Sequence, residues 1–214
     1  MKRILLLCSL VLVSCSQTVW THIFPNLTKT TEVKTVQPVQ LSLSDYTSKM
    51  MDKCNTSQVS SMKRKVLIGQ IVRVAEERLS DRIAQEAFIT LICIESKFNQ
   101  SVKSPVGATG LTQVMPKYIK DFASSCSLEV QPEDAYDAEI NLTLGACYFN
   151  SLLKDAEING NVGLALAAYN AGKYGDTFKK LSKLQAVNTE TANYLGKYLV
   201  LRESMDQDNK NLRD

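Results

Sequence analysis

From Lys63 onward the apolar residues recur at helical spacing, and no segment alternates for long enough to mark a strand. Lys63 to Leu79 carries Val66, Leu67, Ile71, Val74 and Ala75 in one stripe, and Ser80-Asp81 then supplies a helix-starting cap. In the next segment Ile83, Ala87, Leu91, Ile94 and Phe98 return every three or four residues and predict one buried face. A second row, Phe88, Ile92 and Glu95, runs beside it. Further along, Asp137 can cap a helix through Leu142, Leu144, Tyr148 and Leu152. Asn159-Gly160-Asn161 reads as a turn, Val162 to Ala171 as an alanine-rich helix stopped by Gly172, and a last helix begins near Thr189-Glu190-Thr191. The predicted fold class is all-α, a compact helical domain over residues 63–204 followed by a polar tail over 205–214.

The first 62 residues read differently. Met1-Lys2-Arg3 is basic and Ile4 to Val13 is an apolar run about half the roughly twenty residues that a spanning helix needs. That combination suits a signal peptide over residues 1–14. The run ends in Leu12-Val13-Ser14-Cys15, which resembles the lipobox of bacterial lipoproteins, with Cys15 as the acylated residue. Ser16 stands where an aspartate would favour inner-membrane retention, so the expected location is the outer membrane, lipid-anchored and facing the periplasm. Residues 15–62 are rich in Ser, Thr, Gln, Val and Lys and predict a tether, although Asp45 to Cys54 offers a short helix with Tyr46, Met50 and Met51 on one side.

Composition narrows the chemistry. The chain of 214 residues is 44% hydrophobic and 22% charged, a globular balance. Lys2 and Arg3 account for two of 25 basic residues set against 22 acidic ones, so no basic footprint for nucleic acid remains. His22 is the single histidine and lies near Trp20 in the polar N-terminal stretch, which leaves carboxylates to carry any acid–base work. Cys8 departs with the signal and Cys15 with the lipid, leaving Cys54, Cys93, Cys126 and Cys147. An even count in an exported chain predicts up to two disulfides with three connectivities; Cys126 and Cys147 flank one small unit and are the favoured pair. The spacings fit no metal site, and no cofactor is implied.

Glu95 is the candidate acid. It continues an apolar row into the last turn of its helix, where desolvation and the negative end of the helix dipole both disfavour the charged form. Both raise its pKa toward neutrality, as a general acid requires. The stretch that follows, Ser104-Pro105-Val106-Gly107-Ala108-Thr109-Gly110-Leu111-Thr112-Gln113-Val114-Met115-Pro116, predicts a turn with two glycines three apart and then a helix. Glycines there let backbone approach a ligand, and Gln113 can both donate and accept hydrogen bonds to a sugar.

With Glu95-Ser96, Ser104 to Pro116, Ala167 to Gly172, and Glu190-Thr191 with Tyr194 in this order, the chain resembles the soluble-type lytic transglycosylases, the lysozyme-like domain of glycosidase family 23. The resemblance implies peptidoglycan glycan strands as partner. It implies Glu95 as sole catalytic carboxyl group, first acid and then base, forming 1,6-anhydro-muramyl ends without water. It places Ser104 near the muramyl group, Gln113 on the acetamido group and Met115 on the cleft wall. Tyr169 would stand close to Glu95, Asn170 would hold its helix end, and Glu190 and Tyr194 would shape the cleft floor and the network around the acid. Thr112 departs from a common methionine, and Lys173-Tyr174-Gly175 stands where Pro-Gly is frequent, altering the loop beside the cleft. A hydrolytic muramidase on the same fold and a non-catalytic wall-binding lipoprotein are the alternatives, and an envelope or secretion machinery is the open class of protein partner.

Overall fold

The computed structural model describes residues 40–54, 56, 60–183, 185 and 188–211. The signal peptide, Cys15, Trp20, His22 and the first part of the expected tether lie outside the described residues. Among these residues eight α-helices form: α1 (Leu43–Lys53), α2 (Ser61–Arg78), α3 (Arg82–Ser96), α4 (Ile119–Ser124), α5 (Ala138–Leu153), α6 (Val162–Ala171), α7 (Asp176–Ser182) and α8 (Thr189–Lys210). Two 3-10 turns, Pro116–Tyr118 and Pro132–Tyr136, flank α4 on either side. Among the described residues no strand forms beyond isolated bridges of Thr109 with Lys103 and Val114, and no helix is long and apolar enough to cross a membrane.

The helix starts follow from short polar side chains. Asp81 accepts the Ala84 N–H at 2.9 Å, Asp137 accepts from Glu139 and Ile140 at 2.9 Å each, and Asn161 accepts from Leu164 at 3.0 Å. Each satisfies an N–H that the first turn leaves unpaired.

Helix α3 is the central element, packed against α1, α2, α5, α6 and α8. Residues from Ala84 through Cys93 are buried except Gln85, so this helix is covered on most sides rather than along one stripe. Ile83, expected at the head of that stripe, is instead 60% exposed, because it sits in the first turn before the neighbouring helices close over α3. Val66 is likewise 56% exposed while Leu67, Ile71, Val74 and Ala75 of α2 are buried.

The domain is larger than its periodic segments suggest. The short helix offered for Asp45 to Cys54 is present as α1, and Tyr46, Met50 and Met51 are fully buried in the main core, so residues 43–53 belong to the folded body and not to a tether. At the other end α8 runs through residue 210 and Met205 is fully buried, which carries the domain beyond the limit set at 204. Both disulfides form: Cys126–Cys147 joins the segment after α4 to α5, and Cys54–Cys93 joins the end of α1 to α3. A smaller core of Val114, Ile119, Ala123, Ala135 and Leu144 lies beside the first of these.

Candidate active site

Glu95 is the penultimate residue of α3, and its Oε1 accepts a hydrogen bond of 2.9 Å from the Tyr194 hydroxyl of α8. Burial is the largest influence on this carboxyl group and lifts its pKa from 4.5 to about 7. The Tyr194 hydrogen bond and the charge of Lys197 pull the other way, and Glu190 adds a further upward push. The site is therefore poised: low polarity holds the proton, while a hydroxyl and an ammonium group are in place to stabilise the anion once the proton leaves. Helix α3 stops directly after it, with Lys97 and Phe98 both in the left-handed region at φ 51° and 59°.

The carboxyl group opens into a cleft of about 870 Å³. Of the residues singled out in the sequence, Ser104, Gln113, Met115, Tyr169, Asn170 and Glu190 line this cleft with Glu95, and Tyr194 reaches Glu95 from α8. Ser104 closes a tight turn: its N–H donates to Ala108 O at 2.8 Å and its Oγ accepts from Ala108 N at 3.0 Å. The Gln113 amide nitrogen donates to Gly110 O at 2.9 Å, which fixes the side chain and leaves its carbonyl oxygen as the acceptor to be offered. Tyr169 donates to Thr112 O at 2.8 Å, and burial raises the pKa of its hydroxyl, with Glu95 adding to the effect. Asn170 accepts from Thr191 Oγ1 at 3.1 Å, which ties the end of α6 to the start of α8.

No helix forms over residues 111–115. Gln113 adopts φ 52°, and the chain folds as a turn knotted to α5 through Asn141. The fully buried Asn141 side chain donates to Thr109 O at 2.8 Å and Ala135 O at 2.9 Å, and accepts from Thr112 N at 2.9 Å. The Thr112 hydroxyl also reaches it, at 2.9 Å from Asn141 Oδ1 and 3.0 Å from Asn141 O. Gly110 and Gly145 make room: a Cβ on Gly110 would fall 2.5 Å from the Asn141 amide nitrogen, and one on Gly145 the same distance from Thr112 Cβ.

Several residues that build the cleft or its support carried no functional signal in the sequence. Asn141 reads as one polar position inside an apolar helix, and Tyr148 as part of a helix row. Yet Tyr148 packs on Phe122 with centroids 4.2 Å apart and on Tyr169 at 5.4 Å, making an aromatic wall. Asp121, Tyr118 and Tyr174 also line the cleft. Among the described residues no group of three or more His, Cys, Asp or Glu side chains is disposed to hold a metal ion.

The described body is helical and presents one partly buried, proton-retaining carboxyl group in a cleft walled by aromatic side chains, an arrangement suited to general acid–base chemistry on a bound ligand. Residues 73–193 match the transglycosylase SLT domain, and the chain belongs to that family. It is 36% identical over 80 residues to the soluble lytic murein transglycosylase of Escherichia coli, a stretch that is 36% of this chain and 12% of that protein. The Salmonella typhimurium protein of the same name is 34% identical over 92 residues, covering 42% of this chain and 14% of the other. The chain thus spans about an eighth of the length of the curated relatives it matches. Among solved structures, an inactive mutant of lytic transglycosylase Slt from Pseudomonas aeruginosa superposes with a TM-score of 0.54 at 25% identity, covering 65% of this chain and 24% of that one.

Proposed function

We propose that this protein is a peptidoglycan lytic transglycosylase that cleaves the β-1,4 bond between N-acetylmuramic acid and N-acetylglucosamine with Glu95 as its one catalytic carboxyl group. The observation that carries the reading is the Glu95 carboxyl held at a pKa of about 7 beside the Tyr194 hydroxyl, at the wall of a cleft, in a chain of the SLT family.

Protonated Glu95 gives its proton to the bridging oxygen as the bond to the anomeric carbon breaks. The muramyl ring gains oxocarbenium character and is supported by its own acetamido oxygen. Glu95, now anionic and stabilised by the Tyr194 hydroxyl and Lys197, takes the proton from the muramyl 6-hydroxyl. That oxygen closes on the anomeric carbon as a 1,6-anhydro ring. One bond is exchanged for another, the carboxyl group recovers its proton, and no water is consumed. Because Oε1 is occupied by Tyr194, Oε2 is the atom that carries the transferred proton.

Ser104 and the Gln113 carbonyl oxygen orient the muramyl and acetamido groups, and Met115 supports the sugar from the wall. Tyr169 and Asn170 hold the end of α6 against the reacting bond, and Glu190 raises the pKa of the acid. The two disulfides suit an oxidising compartment. With the lipobox-like Leu12 to Cys15, they favour a periplasm-facing protein anchored to the outer membrane by Cys15.

The test is release of soluble fragments from purified peptidoglycan by the wild-type chain and by Glu95→Gln. Loss of at least about a thousandfold in rate is expected in the variant, the scale of removing an essential acid–base group. Fragment release that survives the substitution would overturn the assignment of Glu95.

A further inference from the structure

The cleft carries more aromatic surface than the reaction at Glu95 uses. Tyr174, in the loop between α6 and α7, lines the cleft and is 84% exposed. Its loop is nonetheless built firmly. Gly172 turns the chain at φ 77°, the Gly175 N–H donates to Gly172 O at 3.0 Å, and a Cβ on Gly175 would come within 2.9 Å of Ala171 O. Lys173 forms an ion pair with Asp155, from the turn between α5 and α6, and its ammonium group also lies 5.4 Å from the Tyr174 ring centroid. The loop is fixed at its base, and apart from the Lys173 ammonium group over it the ring is open to solvent. Inward from it stands Tyr148, close enough that the Tyr174 hydroxyl contributes to the raised pKa of the Tyr148 phenol. Tyr148 in turn packs on Tyr169, which feels the charge of Glu95. Tyr174, Tyr148 and Tyr169 thus run from the cleft rim to the neighbourhood of the acid.

We propose that Tyr174 is a saccharide-stacking residue that receives the apolar face of a pyranose ring and extends glycan binding outward from the sugars at Glu95, with the Lys173–Asp155 ion pair setting its position. The axial C–H groups of a β-1,4-linked pyranose carry partial positive charge and meet the negative face of an aromatic ring, and the contact removes apolar area from water on both sides. A rigid ring loses little entropy on binding. The inference rests on the glycan substrate proposed above and makes this chain's Lys-Tyr-Gly loop a determinant of how much glycan the cleft engages.

The experiment is a calorimetric titration of the full chain carrying Glu95→Gln with β-1,4-linked N-acetylglucosamine oligomers of two, four and six sugars, repeated with Tyr174→Ala and Tyr174→Phe added. Lengthening the oligomer from four to six sugars is expected to strengthen binding about five- to tenfold, a gain lost in Tyr174→Ala and kept in Tyr174→Phe. A gain that persists in Tyr174→Ala would overturn the assignment, as would equal weakening of all three oligomers or failure of Tyr174→Phe to retain it. The titration requires no turnover, so the two proposals fail separately. Anhydro products with no length effect of Tyr174 would remove this inference alone, and the length effect without anhydro products would remove the lyase reading alone.

Discussion

At the scale of single residues, Glu95 keeps its proton because its surroundings solvate the anion poorly. Its pKa is raised from 4.5 to about 7, so between those values the folded chain holds a proton that the unfolded chain releases. The sign follows: the penalty is absent below the unfolded value, grows as the pH rises, and is complete above about 7. Glu95→Gln removes it. The variant is expected to melt above wild type at pH 8 by about 4–8 °C, from on the order of 2 kcal/mol, with the gap closing by pH 4.5; scanning calorimetry across that range checks it. Equal melting temperatures at pH 8 would mean that folding does not raise the pKa of this carboxyl group. Tyr194→Phe deletes the donor that favours the anion, so the pKa of Glu95 should climb further. The alkaline limb of the pH–rate profile is expected to move up by about one pH unit, a shift that a purely structural role of Tyr194 would not produce.

At the scale of elements, the cleft depends on how the Ser104 to Pro116 stretch is pinned. Its residues were legible as a motif, but its conformation was not. Gln113 takes a left-handed backbone because the Thr109–Thr112 segment is bonded to Asn141, 29 residues beyond Thr112, and no local period reports such a partner. Helix ends were easier to read, since Asp81, Asp137 and Asn161 cap their own next turn. The buried faces were half legible: Ile83 and Val66 fit the helical spacing yet stay exposed, because periodicity gives a face and not how far the neighbours extend along it. Removing the knot at Asn141→Ala strands buried carbonyl and N–H groups and is expected to cost about 3 kcal/mol in urea unfolding, against about 1–2 kcal/mol for Thr112→Val, which spares the two Asn141 bonds to Thr109 and Ala135. Equal costs would show that Thr112, and not the amide, is the centre of the knot.

At the scale of the whole molecule, α3 is held in place partly by α8 and partly by residues that the sequence pattern left outside the domain. Glu86, buried in α3, pairs with Arg82 at 2.7 Å and with Arg202 of α8, while the Arg82 guanidinium donates to Leu41 O at 2.7 Å ahead of α1. Lys53 at the end of α1 pairs with Asp208 of α8 at 3.0 Å. The Cys54–Cys93 disulfide then fastens α1 to α3 two residues before Glu95. The ion pairs were hidden because a single buried Glu and a polar-looking helix end carry no periodic signal, whereas Cys54–Cys93 is the pair that remains once Cys126 and Cys147 are joined. Replacing both Cys54 and Cys93 by alanine is expected to lower unfolding free energy by about 2–4 kcal/mol, the scale for a crosslink closing a loop of that size. Denaturant midpoints that match wild type would show that packing of Tyr46, Met50 and Met51 and the ion pairs secure α1 without the crosslink.

The fate of the anomeric carbon separates a lyase from a hydrolase, and the end groups of the products report it. Purified peptidoglycan digested by the full chain, beside a Glu95→Gln control, can be resolved by mass spectrometry of the released muropeptides. Muropeptides ending in 1,6-anhydro-muramic acid, each one water lighter than its reducing counterpart and absent with the variant, are the expected result. Reducing muramyl ends in their place would mean that water attacks the anomeric carbon, and would turn attention to Asp121 and Glu190, the other carboxylates lining the cleft.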